Sequence, residues 1–239
     1  MTVHEYTEGI AAVVNFLPLV WGAASAAFAL VSVARAADDP IMTRIYAHCP
    51  HYAAAEKEVA SGTPTHAPTA ESPSLPALRR ELLLLKDQDQ DARQQAIAGG
   101  DGHEVQDVDA RNLNRLRTIL SQGLPTAREV GPDGVGALWL LIQHADDDPT
   151  LQAKALSVFE ARTGRGEFPR SSYALLYDRV RLAQGKPQRY GSQMRREANT
   201  FQPEALEDPA HVDARRRAMG LVPLEDYRCS LEAVYGVMP

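Results

Sequence analysis

ALWLLIQHADDDPTLQ, residues 137–152, is the stretch whose reading decides the fold. Six apolar residues, from Ala137 to Ile142, run without a break into Gln143, His144 and Asp146. On a helix, Val135, Leu138, Trp139 and Ile142 lie to one side and Ala137, Leu140 and Leu141 to the other. A helix that is apolar nearly all round is buried, not laid on a surface. Gln143 and His144 then stand at its buried end, where an unpartnered polar group costs about 1–3 kcal/mol. They need partners inside the protein. Three acids, Asp146, Asp147 and Asp148, oppose the macrodipole and end the helix. Asp148 caps the next one, with Pro149 at its first position. His144 is open to two readings, a satisfied core histidine closing a helix end or a functional group.

Working outward, the neighbouring stretches also read as helices. Ser74 can cap a helix with Pro76 in its first turn and Leu78, Leu82 and Leu85 on its buried face. Steps of four from Leu85 reach Asp89, so that carboxylate projects from the apolar stripe, within reach of Arg93 one turn on. The pair fits a boundary ion pair as well as a site. Gly99 and Gly100 stop this helix, and residues 101–106 read as loop, leaving His103 solvated. Asp107 or Asp109 caps a helix to Gln122, with Leu113, Leu116, Ile119 and Leu120 inward and a stop at Gly123 and Pro125. A polar loop with Gly131 and Gly134 follows. After Pro149, Leu151, Ala155, Val158 and Phe159 face inward. Ser171 or Ser172 then caps a helix burying Leu176, Val180 and Ala183. Two further helices follow Asp208-Pro209 and Pro223, and a small hairpin fits between residues 188 and 201. The expected fold is mainly α, a single multi-helix domain with one small β-hairpin.

The chain divides at a linker. Residues 62–76 carry Pro64, Pro68, Pro73 and Pro76 among Thr, Ser and Ala, an extended and poorly packed composition. The organisation expected is a hydrophobic N-terminal segment over 1–40, a short helical piece and linker over 41–74, and the globular domain over 75–239. Residues 9–34 hold no charged side chain and are long enough to cross a bilayer. Three readings stand. The first is a membrane span whose lone following Arg35 puts the domain on the cytoplasmic side. The second is a cleaved signal peptide ending at Ala34-Arg35-Ala36, against which the first nine residues hold no Lys or Arg. The third is a packed helix or a stretch upstream of a start at Met42, which leaves a soluble cytoplasmic protein. The span is the reading adopted, with export as an alternative. The net charge of -6 gives no nucleic-acid footprint. Cys49 and Cys229 lie far apart without CxxC spacing, so no zinc or redox motif is indicated, and export would let them pair.

Several short motifs recur in a characteristic order. They are EL(x)6DQ(x)2R over 81–93, QHADDDPTLQ over 143–152, YDRV over 177–180, PQRYGSQ over 187–193, EDP over 207–209, DARRRAMGL over 213–221 and PLEDY over 223–227. Together they resemble the uncharacterised bacterial family DUF6624 over about residues 78–227. One departure is Leu124, where the family tends to have Trp between Gly and Pro. The resemblance implies no established activity, but it strengthens the list of site residues.

That list pools Asp89, Gln90, Arg93, Gln143, His144, Asp146, Asp178, Arg179, Gln188, Tyr190, Gln193, Asp208 and Arg216. A domain of this size folds without so many inward polar groups, since buried polar networks are neutral or costly for stability. This favours a pocket for a small polar or anionic ligand. His144 is the natural proton-transfer group, because its ordinary pKa suits neutral pH. Asp89, Asp146 or Asp178 can orient it. Arg93 and Arg179 can hold an anion by bidentate contacts, with Gln143, Tyr190 and Gln193 as further binding groups. His144 and Asp146 alone are too few for a metal, and i,i+2 residues face apart on a helix. No metal and no cofactor are expected, and no phosphate-binding loop or dinucleotide fingerprint is present. The rival class is a non-catalytic interaction module with the same residues as a rigid buried network. Oligomeric state is left open. From residues 9–34, the intact chain is expected to sediment with membranes. Recovery of the intact, uncleaved chain in the soluble fraction without detergent excludes the span.

Overall fold

The computed structural model describes residues 40–62, 72–100, 102–197 and 200–235. Residues 9–34, and with them the expected span, lie outside the described residues. Among the described residues no helix is long and apolar enough to cross a membrane. The fold is mainly helical with one small antiparallel sheet, as expected. In order it holds α1 (Pro40–His48), α2 (Tyr52–Gly62), α3 (Pro76–Ile97), α4 (His103–Leu120), α5 (Ala127–Gln143), α6 (Pro149–Gly164), α7 (Arg170–Ala183), β1 (Met194–Glu197), β2 (Thr200–Pro203), a 3-10 turn (Pro209–His211), α8 (Val212–Ala218) and α9 (Leu224–Tyr235).

The chain forms two compact units, one of residues 66–176 and one combining residues up to 65 with 177–239. In the first, α5 is buried almost all round, with Val135, Ala137, Leu138, Trp139, Leu141 and Ile142 in the core. Leu82 and Ala92 of α3, Leu113, Leu116 and Ile119 of α4, and Leu151, Ala155 and Phe159 of α6 complete it. Trp139 donates its indole N–H to the carbonyl of Ser172 at 3.0 Å, so even its one polar atom is satisfied. Asp148 caps α6 as expected, accepting from the backbone N–H of Leu151 at 3.0 Å.

Several helix boundaries differ from the expected ones. Leu75, not Ser74, stands at the N-cap of α3, and no side chain bonds there. The backbone N–H groups of Ser74 and Leu75 instead donate to the carbonyls of Arg128 and Glu129. The stretch read as a loop around His103 is the first turn of α4, so Asp107 and Asp109 lie inside that helix and cap nothing. The loop expected around Gly131 is helical on both sides of a kink. Thr126 and Glu129 form a capping box, and the helix restarts at Pro132 after Gly131 takes φ 76° and ψ 161°. Ser171 and Ser172 are buried within α7 instead of capping it, and Val158 and Ala183 are exposed, not inward.

In the second unit, β1 pairs with β2 in the register Met194–Pro203 to Glu197–Thr200. Met194, Phe201, Tyr227 and Leu231 form one cluster there. Met42, Ile45, Cys49 and Tyr52 pack with Ala233 and Val234 of α9 in another. Helices α1 and α2 share their core with the C-terminal helix.

Gly131 is a position where only glycine fits. An added Cβ would meet Asp133 Oδ1 at 2.6 Å and Arg79 Nε at 3.3 Å, on top of the positive φ, and those two side chains are an ion pair. Gly131→Ala is expected to cost about 1–3 kcal/mol in urea denaturation. An unchanged midpoint would mean that the kink relaxes freely.

Candidate functional site

The buried end of α5 is where the first unit gathers its polar groups. His144 is the C-cap of α5, with φ -91° and ψ 2°, and is 8% exposed. Its Nδ1 lies 2.9 Å from each carboxylate oxygen of Asp89. Asp89 and Arg93, one turn apart on α3, are each 1% exposed. The guanidinium donates to both oxygens of Asp89 at 3.3 Å and, through Nη2, to Asp109 Oδ1 of α4 at 2.5 Å. Gln90 adds a bond from Nε2 to Asp89 Oδ2 at 2.7 Å. Three helices thus meet at one buried cluster of four ionisable groups.

The proton on His144 can be assigned by elimination. Nδ1 is also 3.1 Å from Arg93 Nε, and an arginine N–H only donates. If Nδ1 accepted from Arg93, its lone pair would face both oxygens of an ionised carboxylate at hydrogen-bond distance, which is repulsive. Nδ1 therefore carries the proton and donates it to Asp89, while Arg93 Nε donates to the same carboxylate. In the neutral ring Nε2 is then the basic nitrogen.

The two carboxylates are pushed in opposite directions. Burial works to raise Asp89, but the His144 hydrogen bond and charge, with Arg93 and Gln90, outweigh it and hold the carboxyl down at about 2. Burial pushes Asp109 up to about 6, assisted by the charges of Asp89 and Asp146 and only partly opposed by Arg93. The Asp109 side chain is 16% exposed, the most open of the four. An acid that titrates near neutral pH beside an oriented imidazole is the arrangement that proton-transfer chemistry uses.

Asp89, Asp109 and His144 offer one ligand atom each within 4.8 Å of one another, a spacing that could hold a metal ion. Arg93 argues against that use. Its guanidinium bonds both carboxylates, and a divalent cation between them would have to displace a buried positive charge.

Two buried amide atoms lie on the same elements without a hydrogen-bond partner, Oε1 of Gln143 and Nδ2 of Asn112. Asn112 is three residues beyond Asp109 and shares its helix face. Gln152 accounts for the helix end, donating to the carbonyls of Ile142 and Gln143 and to Asp146 Oδ1 at 3.1–3.2 Å.

The other expected site residues belong to the second unit, where Asp178, Gln188 and Arg216 support the 187–193 loop. Asp178 is fully buried and accepts from the backbone N–H groups of Arg189, Tyr190 and Ser192 at 2.7–3.2 Å. Burial raises its pKa against those three donors. Gln188 donates to the carbonyls of Gln193 and Glu204 and accepts from the N–H of Gln193. Gln193 Nε2 donates to Ser192 Oγ. Arg216 donates to the carbonyls of Tyr190 and Val222 at 2.7 and 2.6 Å and lies over the ring of Tyr227. Tyr190 packs edge-on to Tyr177. Arg179 is buried, and Asp208 binds His211 and Arg215 near the surface.

The sequence reading missed Asp109 and Asn112. The signal was available: Val105, Val108, Asn112, Leu113 and Leu116 are the buried stripe of α4, and Asp109 sits within it at i+4 from Val105. Starting that helix too late hid it.

Comparison with known proteins gives one result. The model of DUF6624, described as a family of unknown function, matches residues 76–238. No curated protein and no solved structure matches the chain.

The raised pKa of Asp109 makes a signed prediction. At Asp109 the native state binds more proton than the unfolded chain between pH 3.8 and about 6, so stability from this group falls as pH rises through that window. Asp109→Asn removes the effect. Its stability relative to the native sequence should improve by on the order of 1–3 kcal/mol from pH 4 to 7, read by urea denaturation at each pH. A difference that does not change with pH contradicts the assignment.

Proposed function

With the chain belonging to DUF6624, a family of unknown function, we propose that it binds a small polar or anionic ligand beside His144 and carries out proton transfer on it. The supporting observation is the buried Asp89–His144 pair braced by Arg93 and joined to Asp109. In this reading Nε2 of His144 is the general base, and Asp89 fixes the ring and its tautomer and stabilises the imidazolium that forms. Asp109, titrating near 6, supplies or accepts the second proton. Gln143 Oε1, buried and without a hydrogen-bond partner, accepts from a donor on the ligand.

Arg93 has a different role here from the anion clamp that its spacing suggested. Its N–H groups serve two carboxylates, so it balances their charge. Asp178, Arg179, Tyr190 and Gln193 are assigned to supporting the second unit and its 187–193 loop. Attachment to a membrane through residues 9–34 is part of the proposal.

One observation favours a second reading, a non-catalytic module with a buried polar network: His144 is only 8% exposed. His144→Gln separates the two. The amide keeps a hydrogen bond to Asp89 but has no basic nitrogen. The variant is screened by thermal shift against small polar and anionic compounds beside the native protein. The catalytic reading expects melting within a few degrees of native, and loss of the shift and turnover that a responding compound gives the native chain. If native protein and His144→Gln respond identically to every compound, the proposal fails and the structural network stands.

A further inference from the structure

Cys49 and Cys229 are the chain's two cysteines, and they are joined in a disulfide with Cα atoms 5.9 Å apart. Cys49, just beyond α1, is 1% exposed among Met42, Ile45, Tyr52, Ala233 and Val234, and Cys229 of α9 packs against the same cluster. A catalytic or sensing disulfide needs an accessible sulfur, and commonly a resolving thiol nearby. This chain has no third cysteine, and Cys49 is inside an apolar core. The bond ties helices that precede the family region at residue 76 to the last helix of that region. Its features are those of a permanent staple.

We infer that Cys49–Cys229 is a structural staple formed in an oxidising compartment, so the folded body resides outside the reducing cytosol. Glutathione and thioredoxin keep cytosolic thiols reduced, whereas disulfides persist in the periplasm, at cell surfaces and in secreted proteins. The sequence has a means of getting there. Residues 9–34, directly upstream, are uncharged and long enough to act as an uncleaved export anchor or as the apolar part of a signal peptide. Arg35 alone biases the chain the other way, but one basic residue is a small effect beside a covalent bond that the cytosol would reduce. The ligand of the His144 site is then drawn from solutes outside the cytosol.

The test uses the full-length chain in cells. Cultures are quenched in acid, and the denatured protein is treated with a maleimide-linked polyethylene glycol before and after reduction. The inference expects no adduct before reduction and two after it. Any adduct before reduction in the bulk of the protein overturns it. Spheroplasts of the same cells provide a second readout. The body should be released on spheroplasting or cut by added protease, and protection until lysis overturns the assignment. With purified protein, reductant should lower Tm by roughly 5–15 °C and Cys49→Ser should do the same, with no further effect of reductant on that variant. A Tm indifferent to reductant contradicts the staple.

Discussion

A guanidinium buried to 1% exposure is beyond the reach of bulk water, so the first unit has to balance the charge of Arg93 from within. Most of its polar design follows from that constraint. Asp89 lies one turn before Arg93 on α3, and Asp109 comes from α4. Both must be held in place, because either carboxylate removed leaves the balance of buried charge altered. The bonds that satisfy Arg93 therefore lock α3 to α4. Asp89 then has oxygens to spare, and His144, delivered by the buried end of α5, occupies them. Packing alone would bring the apolar faces of three helices together, but the charge requirement decides which polar groups meet.

The second unit uses its buried polar side chains for another purpose. There Asp178, Gln188 and Arg216 bond almost entirely to backbone N–H and C=O groups of the irregular stretch 187–193 and its neighbours. A loop with that little regular structure leaves backbone groups that must find partners if they are buried. Gly191, at φ 66° and with Leu224, Leu206 and Val212 against its face, lets the chain turn within the core. A carboxylate spent on three amide donors, like Asp178, is structural. One that shares side-chain donors with a histidine and an arginine, like Asp89, has partners that can themselves exchange protons.

The legible parts of the sequence were those where one side of a helix had a clear chemical demand. The all-round apolar run 137–142 gave α5 and its burial, and the four-residue step from Leu85 gave the inward Asp89 and its pairing with Arg93. Asp148-Pro149 gave the start of α6. What could not be read locally was which buried polar groups share a cluster. Asp89 and Asp178 are both buried carboxylates on helices, yet one meets His144 and the other holds a loop, a difference set by contacts more than 50 residues apart in one case and 11–14 in the other. Gly131 misled because a glycine followed by proline reads as a loop, whereas here it kinks a continuing helix. The late start given to α4 had the larger consequence, since it turned Asp109 from a member of the cluster into a cap.

Asp109 is also what separates an inert ion-pair network from one able to exchange protons. Arg93 Nη2 is closer to Asp109 than to Asp89, at 2.5 against 3.3 Å, and proximity alone would make Asp109 the stronger acid. The order is reversed because Asp89 has the additional donors His144 and Gln90, while Asp109 combines burial with repulsion from Asp89 and Asp146. Of the two carboxylates, Asp109 is therefore the one that takes up a proton near pH 6. Asp89 stays ionised and keeps orienting the imidazole while its neighbour changes charge. Two carboxylates separated in this way by their surroundings can take different roles at one pH. Replacing Arg93 by a neutral side chain would leave Asp89 its His144 and Gln90 donors but take from Asp109 the charge that opposes its burial, so Asp109 would rise the more of the two. The asymmetry thus comes from the His144 and Gln90 donors on Asp89 and the burial of Asp109, and the fixed positive charge limits it without having to touch a ligand.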